Sequence, residues 1–387
     1  MLPYALWYCY NAPRLFWDSI GMDIDKEQAL GFLSRLGSQP AIAFYESGVA
    51  GAVKAILSDL KVGCDSDGYG NIIAKLPGAG ASSGDVPPIA FVAHLDHPGF
   101  EAIAIDGDYL VGQAAGGVPV GSFESGVPLQ VVLEDGTRLK ATTAGRYREE
   151  ADRQVLIRLE NPQPVTLPRP VVFDLVDFDL DGDYIRMRAL DDLAGCASIL
   201  AALSVLSRQP APGDVYGVFT RAEEVGLVGA RAMGEAQTLP LETLVVSLES
   251  SRTLPGAEIG GGPVIRVGDA GYTFSAEAES ALIKARETLQ ARPAGFKVQR
   301  QLMSGGVCEA SAFALHGYRT TGIAFPLGNY HNGAPQDQIE AEYIHQDDFV
   351  GGIELVVEAA LRVPERGDTA FRRRLGDLPQ ELRARLL

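Results

Sequence analysis

Between Asp25 and Leu60, apolar residues recur at helical spacing in two stripes. The stripes are Ala29, Phe32, Leu33 and Leu36, followed by Val49, Val53, Ile56 and Leu60. Because residues three and four apart share one face of a helix, this spacing predicts two amphipathic helices. The same periodicity predicts a helix over 192–206 and a last helix over 349–361.

Short uninterrupted apolar runs alternate with the helical segments. The runs are 89–93, 215–220, 244–248 and 321–325. Such runs are typical of strands that are buried on both faces of a sheet. Strands that alternate with helices indicate a mostly parallel sheet with helices on both faces. The pattern therefore predicts an α/β fold.

The segment 105–182 has a different pattern. Short strands of alternating apolar and polar residues, such as 129–133 and 155–159, are separated by prolines, glycines and the Asp135-Gly136 turn. This pattern is typical of a small all-β unit. We interpret the segment as a β-barrel-like domain inserted into the α/β domain.

These patterns divide the chain into four parts. The predicted parts are an N-terminal extension (1–21), a discontinuous catalytic α/β domain (22–104 and 183–364), the inserted all-β domain (105–182) and a polar C-terminal tail (365–387).

Composition and charge restrict the class of protein. Hydrophobic residues make up 46% and charged residues 21% of the 387 residues, and the net charge is −17. An acidic chain without a long basic stripe argues against a nucleic-acid partner. The absence of an apolar run of 18 residues argues against a membrane-spanning helix. Four scattered cysteines without a CxxC pair are typical of a reducing cytoplasm, so we expect a cytoplasmic protein.

Acidic residues and histidines follow the predicted buried strands. They are His94 and Asp96, Asp191 and Asp192, Glu223 and Glu224, Glu249, and His331. Loops at the carboxyl ends of strands meet at the ligand crevice of an α/β sheet, so we expect these side chains to converge. Imidazoles and carboxylates form a donor set that zinc, cobalt or manganese accepts. Cations would also reduce the repulsion among clustered carboxylates.

Four motifs occur in order along the chain. They are Ala93–Phe100 (AHLDHPGF), Ala189–Cys196 (ALDDLAGC), Glu223–Ala230 (EEVGLVGA) and Gly262–Asp269 (GPVIRVGD). Together they resemble the dimetal glutamyl and tetrahedral-type aminopeptidases, which are zinc-dependent exopeptidases. The resemblance covers about residues 22–361. It implies a zinc-exopeptidase-like fold, hydrolysis of the N-terminal residue of short peptides, and a homo-oligomer that forms through the inserted β domain.

The resemblance also implies a role for each candidate residue. Two divalent metal ions, zinc with cobalt or manganese as alternatives, would be held by His94, Asp191, Glu224, Glu249 and His331, with Asp191 bridging both. Glu223 would be the general base for a water that bridges the metals, and Asp96 would orient His94. Glu249 stands where the family usually has an aspartate, and Leu193 stands where it often has a basic residue.

The other histidines receive different interpretations. His345 is the alternative to His331 as the last ligand, but His331 follows a strand closely, whereas His345 precedes the final helix. We interpret His97 as a surface group or as a neighbour of the ligands. His316 is predicted to lie at the end of a helix.

Other functions remain open at this stage. A deacylase or carboxypeptidase could use the same metal site, and a metal-binding assembly protein could have lost turnover. A glycoside hydrolase would need two carboxyl groups about 5 to 9.5 Å apart on either side of the bond. Glu223 and Glu224 are adjacent, which argues against that arrangement.

Overall fold

A computed structural model describes residues 24–79, 86–293 and 295–387 of the chain. The predicted N-terminal extension and Cys9 lie outside the described residues. The helices are α1 (Lys26–Gly37), α2 (Ser47–Asp59), α3 (Leu190–Arg208), α4 (Val228–Glu235), α5 (Ala276–Gln290), α6 (Glu309–Leu315), α7 (Gln346–Arg362), α8 (Ala370–Gly376) and α9 (Gln380–Ala384). The strands are β1 (Cys64–Ser66), β2 (Ile72–Leu76), β3 (Ile89–His94), β4 (Gly99–Asp106), β5 (Tyr109–Ala115), β6 (Ser125–Val132), β7 (Arg138–Tyr147), β8 (Gln154–Leu159), β9 (Arg169–Phe173), β10 (Asp179–Asp181), β11 (Tyr184–Met187), β12 (Val215–Thr220), β13 (Leu244–Arg252), β14 (Val264–Arg266), β15 (Gln299–Gln301), β16 (Arg319–Leu327) and β17 (Glu342–His345).

The central sheet is mixed. Its order is β1-β2-β12-β3-β13-β16-β14-β15. The four strands predicted from apolar runs, β12, β3, β13 and β16, are neighbours and pair in parallel. The mostly parallel arrangement does not extend to the whole sheet, because the pairs β1–β2, β2–β12 and β14–β16 are antiparallel. The outer strands β1, β14 and β15 have only three residues each, too short for a recognisable apolar run.

Helices cover both faces of this sheet. On β3, Ile89, Phe91 and Ala93 belong to a core shared with α1, α2, α3, α5 and α7. Ala90 and Val92 point the other way, into a second core shared with α4 and α6. Successive side chains of a strand point to opposite faces, so this continuous apolar run serves both cores.

Helix α3 is the central helix of the larger core. Among the described residues it is the one helix long and apolar enough to cross a membrane. However, 94% of its apolar window is buried inside the protein. It packs on β3 and β13 from one side and contacts α1 and α7 on the other.

A closed six-stranded barrel is inserted after β3. Its strands follow the order β4-β5-β8-β7-β6-β9, and pairing of β4 with β9 closes it. Its interior is a separate apolar core in which Phe100 contacts Phe123 and Phe173 edge to face. The barrel strands span 99–173, whereas the sequence pattern placed the insertion at 105–182. The difference arises because β10, which alternates as the barrel strands do, pairs with β11 outside the barrel.

The C-terminal residues form two short helices, α8 and α9. Their side chains are exposed along nearly the whole length of both helices. The basic triplet Arg372-Arg373-Arg374 lies on α8 and is solvated.

Candidate metal centre

The carboxyl ends of the central parallel strands bring the predicted ligands together. His94 is the last residue of β3, and Glu249 lies near the end of β13. Glu223 and Glu224 follow β12, and His331 follows β16. Asp191 reaches the same place from the first turn of α3.

The Asp191 carboxylate lies between the two histidines. Its Oδ1 is 3.3 Å from His94 Nε2, and its Oδ2 is 3.6 Å from His331 Nε2. His331 Nε2 is also 3.4 Å from Glu224 Oε1, and His94 Nε2 is 3.9 Å from Glu223 Oε2. Each oxygen of Asp191 therefore faces a different imidazole.

The candidate ligands form overlapping groups of three. His94, Asp191 and Glu249 place one donor atom each within 4.8 Å of the others, and so do Asp191, Glu224 and His331. A third such group joins His94 to both Glu223 and Glu224. Asp191 belongs to two of the groups, as a carboxylate shared between two cations would.

Two buried oxygens in this cluster have no hydrogen-bond partner among the described residues. They are Asp191 Oδ1 and Glu249 Oε1. Leaving a buried polar atom unpaired is costly, so native proteins rarely do so without a ligand nearby. Free carboxylate oxygens next to imidazole nitrogens are the ligand types that zinc and similar divalent ions accept, so these residues fit a metal site.

Both imidazoles are oriented by main-chain carbonyls. His94 Nδ1 donates a hydrogen bond to the carbonyl of Asp96 at 3.0 Å. His331 Nδ1 donates one to the carbonyl of Gly117, also at 3.0 Å. A donor at Nδ1 leaves the Nε2 lone pair free, and in both residues Nε2 faces Asp191. The two rings are therefore in the tautomer that a metal requires.

Asp96 holds other residues of the site in place besides His94. Its main-chain carbonyl binds the histidine, whereas its carboxylate lies 3.8 Å from His94 Nδ1. The carboxylate oxygens instead accept hydrogen bonds from the main-chain N–H groups of Glu223 at 2.9 Å and Glu224 at 3.1 Å. The side chain predicted to orient the histidine thus positions the pair of glutamates.

Burial controls the charge of the carboxylates. It raises the pKa values of Glu223, Glu224 and Glu249 well above their usual range, and neighbouring carboxylates raise them further. Burial also tends to raise the pKa of Asp191, but the adjacent imidazoles of His331 and His94 outweigh it and lower that pKa. A cation at this position would favour the ionised form of all four groups.

Two buried glutamates next to the site were not predicted. Glu342 accepts hydrogen bonds from the main-chain N–H groups of Asp191 at 3.0 Å and His331 at 2.8 Å. Glu309 accepts them from the hydroxyls of Thr220 at 2.9 Å and Ser247 at 3.0 Å. Glu342 lies two residues before the buried Ile344 along β17, so both side chains are on the same, buried face of the strand. This spacing was the available sequence signal. Glu309 begins a short helix and carries no comparable signal.

Among the described residues, the remaining histidines belong to none of these donor groups. His97 is buried, its Nδ1 donates to the Asp191 carbonyl at 2.8 Å, and burial lowers its pKa to about 4. His316 ends α6. His345 begins α7, where its Nδ1 accepts a hydrogen bond from the N–H of Asp347 at 3.0 Å. His345 therefore has a capping contact of its own.

Comparison with known sequences identifies relatives of the chain. The sequence profile of the M42 glutamyl aminopeptidases matches residues 164–352. A protein of Acetivibrio thermocellus that is named as an aminopeptidase is 27% identical over 331 residues, which cover 79% of this chain and 89% of that protein.

Solved structures share the fold. Aminopeptidase APDkam598 from the archaeon Desulfurococcus kamchatkensis superposes with a TM-score of 0.74 at 22% identity, covering 89% of this chain and 97% of that one. The Pyrococcus horikoshii TET1 peptidase, which can assemble into a tetrahedron or a large octahedral shell, superposes with a TM-score of 0.71 at 24% identity, covering 86% and 99%. The profile match over residues 164–352 and the sequence relative show that the chain is similar to the M42 glutamyl aminopeptidases, the family that its four motifs resemble, and they support a peptidase.

Proposed function

We propose that this chain is a dinuclear metal-dependent aminopeptidase that removes the N-terminal residue from short peptides. The observation that carries the proposal is the position of Asp191, whose two oxygens face His94 and His331. Each histidine belongs to a group of three donors that contains Asp191. A shared carboxylate between two donor groups supports a pair of cations.

The ligand division follows from these groups. His94, Asp191 and Glu249 would hold one cation, and Asp191, Glu224 and His331 would hold the other. The nitrogen and oxygen donors favour zinc, with cobalt or manganese as alternatives. When bound, such ions polarise the scissile carbonyl and lower the pKa of water to roughly 7.

Glu223 is the proposed general base. Its carboxylate lies beside the ligands, 3.9 Å from His94 Nε2, yet it belongs to neither group that contains Asp191. Its main-chain N–H is held by Asp96. In this position Glu223 Oε2 accepts a proton from the attacking water and delivers it to the amine nitrogen of the leaving peptide.

The test combines metal analysis with a substrate panel. Purified protein should contain about two divalent ions per chain and should hydrolyse free-amine peptides in a chelator-sensitive manner. Glu223→Gln should retain the ions while kcat falls about 10²- to 10⁴-fold, the usual contribution of a general base. Glu258→Gln, at an exposed glutamate, is the matched control and should behave as the wild type.

Other results would support the rival functions. Hydrolysis restricted to N-acylated or C-terminal substrates would indicate a deacylase or a carboxypeptidase on the same ligands. Bound metal without turnover on any panel member would indicate a metal-binding assembly protein. Full activity in Glu223→Gln would exclude that residue as the base.

We also infer that the protein forms a homo-oligomer through the barrel. Ile103, Ile105 and Val120 belong to the inserted segment and are 41%, 60% and 66% exposed. Exposed apolar side chains on one structural unit are candidates for an interface. Ile105→Lys should give a smaller particle by light scattering. Val176→Lys, at an apolar residue that is 41% exposed outside the barrel strands, should leave the particle size unchanged.

A further inference from the structure

Two strongly exposed aromatic side chains lie on the β2 side of the candidate metal centre. Phe44 and Tyr69 are 61% and 58% exposed, the highest values for aromatic residues in the part of the chain that the structure describes. Phe44 precedes α2, and Tyr69 precedes β2. The first residue of β2 pairs with Phe219 near the carboxyl end of β12, so Tyr69 lies at the edge of the sheet where His94 ends β3.

Phe44 is the one exposed residue of a buried segment. Within 41–46, Ile42, Ala43 and Glu46 are buried, and Tyr45 is half-buried. The φ angle of Phe44 is 73°, in the left-handed region that a bulky residue adopts only at a cost. Such a conformation persists where the surrounding structure fixes it, and it is most common at functional sites.

The surrounding structure fixes Phe44 at both of its main-chain groups. Its N–H donates a hydrogen bond to Glu46 Oε1 at 2.8 Å, and its carbonyl accepts one from Arg221 Nη2 at 3.2 Å. Arg221 Nη2 is itself paired with Glu46 Oε2 at 2.7 Å. A buried ion pair therefore holds the strained residue from two sides.

The same contacts connect Phe44 to the glutamates of the site. Glu46 Oε1 also accepts a hydrogen bond from the N–H of Ala222 at 3.0 Å, so the main chains of Phe44 and Ala222 are held side by side. Ala222 directly precedes Glu223, whose own N–H donates to Asp96 at 2.9 Å. The position of Phe44 is therefore fixed relative to the proposed general base.

Arg221 connects the second aromatic residue to this arrangement. Its Nη1 donates a hydrogen bond to the carbonyl of Tyr69 at 3.0 Å, while its Nη2 donates to that of Phe44. The N–H of Tyr69 donates to Asp67 Oδ1 at 2.9 Å. One guanidinium thus fixes the main chains of both residues, and their rings are left exposed.

We propose that Phe44 and Tyr69 bind an apolar side chain in the leaving part of the peptide substrate. The proposal rests on the proposed aminopeptidase function, in which Glu223 delivers a proton to the amine nitrogen of the leaving peptide. The leaving peptide therefore begins beside Glu223, where Glu46 holds Phe44. Aromatic rings on a fixed main chain bury a large apolar area against a ligand while little further ordering is required.

The test compares two peptides that differ only after the scissile bond. Both begin with the N-terminal residue that the wild type hydrolyses fastest, and they continue as Phe-Ala-amide or Ser-Ala-amide. The wild type should hydrolyse the phenylalanine peptide with the higher kcat/KM. Phe44→Asn should reduce this preference about 5- to 20-fold, because it removes one aromatic contact. The double variant Phe44→Asn/Tyr69→Thr should abolish the preference.

The choice of variants separates the ring from the main chain. Asparagine adopts the left-handed region more readily than most residues, so Phe44→Asn keeps the backbone conformation. Phe44→Leu should retain part of the preference, since it keeps an apolar side chain. Phe371→Asn is the matched control at a phenylalanine that is 57% exposed on α8, and it should retain the whole preference.

Two results would overturn the assignment while the aminopeptidase function stands. One is hydrolysis of both peptides by the wild type without a preference. The other is a preference that persists unchanged in Phe44→Asn, and a smaller particle by light scattering in that variant would then assign the rings to a contact between copies of the chain.

Binding of the leaving products gives a readout without turnover. By calorimetry, the wild type should bind Phe-Ala-amide more tightly than Ser-Ala-amide, and Phe44→Asn should lose the difference. If no peptide is hydrolysed, the proposed function fails, and this binding difference still decides whether Phe44 and Tyr69 recognise an apolar side chain. Equal binding of both products by the wild type would overturn the assignment.

Discussion

The carboxylate of Asp96 fixes the main chain at Glu223 by accepting a hydrogen bond from its N–H at 2.9 Å. The second oxygen of Asp96 accepts from the next N–H, that of Glu224, at 3.1 Å. The aspartate directly after β3 thus determines where the loop after β12 presents its two adjacent glutamates. This contact links two parallel strands at the edge of the sheet where the site lies.

Asp96→Asn should damage both stability and activity. An amide can accept only one of the two hydrogen bonds, because its NH₂ group would oppose the other N–H. We expect the free energy of unfolding to fall by about 1 to 3 kcal/mol, the cost of leaving a buried donor unpaired. Denaturant unfolding and kcat/KM measure the two effects. Asp65→Asn, at an exposed aspartate, is the control, and equal results for both variants would contradict the positional role of Asp96.

His331 and His345 are the two candidates for the last metal ligand, and their substitution should give opposite results. His331→Gln should lose one of the two metal ions, since His331 Nε2 faces Asp191 and Glu224. His345→Gln should keep both ions and lose only the N-cap contact of α7, worth about 1 kcal/mol. Elemental analysis and thermal unfolding of both variants distinguish these outcomes. Loss of metal from His345→Gln alone would reverse the assignment.

Gly117 leaves room for His331. A Cβ at this position would lie 2.6 Å from His331 Nδ1 and 2.8 Å from its Cε1. Gly117→Ala should therefore displace the imidazole and lower both metal content and kcat/KM, the latter by about tenfold or more. Gly51→Ala is the control, because no atom lies within 4 Å of the added methyl group in helix α2. That variant should gain about 0.5 to 1 kcal/mol of stability from helix propensity. Wild-type metal content in Gly117→Ala would contradict this steric argument.

His97 should make stability depend on pH between about 4 and 6.5. Burial lowers its pKa to about 4, so below pH 6.5 the unfolded chain takes up a proton that the folded chain does not. Stability therefore falls as the pH is lowered through this range. Between pH 7 and pH 5, the wild type should lose about 2 kcal/mol more than His97→Gln. Denaturant unfolding at both pH values measures the difference, and equal losses would show that His97 does not titrate in this way.

The parallel core of the fold was predictable because its signals are local. The apolar run 215–220 coincides with β12, and the other three runs lie within β3, β13 and β16. The short strands β14 and β15 gave no such signal, because three residues cannot establish a period. β14 pairs with β16 and β15 pairs with β14, and each of these partners is distant along the chain.

The candidate site was predictable as a set of residue types but not as a network. Strand ends identified His94, Glu249 and His331, because the carboxyl ends of parallel strands meet. The role of Glu342 depends on which N–H groups lie opposite it, and it contacts Asp191 from 151 residues away along the chain. The position of Gly117 beside His331 likewise depends on how the barrel sits on the α/β domain.

The carbonyl of Gly117 that orients His331 belongs to the connection between β5 and β6 of the inserted barrel. The inserted barrel therefore contributes directly to the candidate metal centre. A chimera that exchanges the barrel with that of a relative would keep its catalytic competence only if the replacement presented a carbonyl at this point. In this chain the barrel connection and a histidine of the α/β domain are therefore parts of one contact, and a change in either one alters the other.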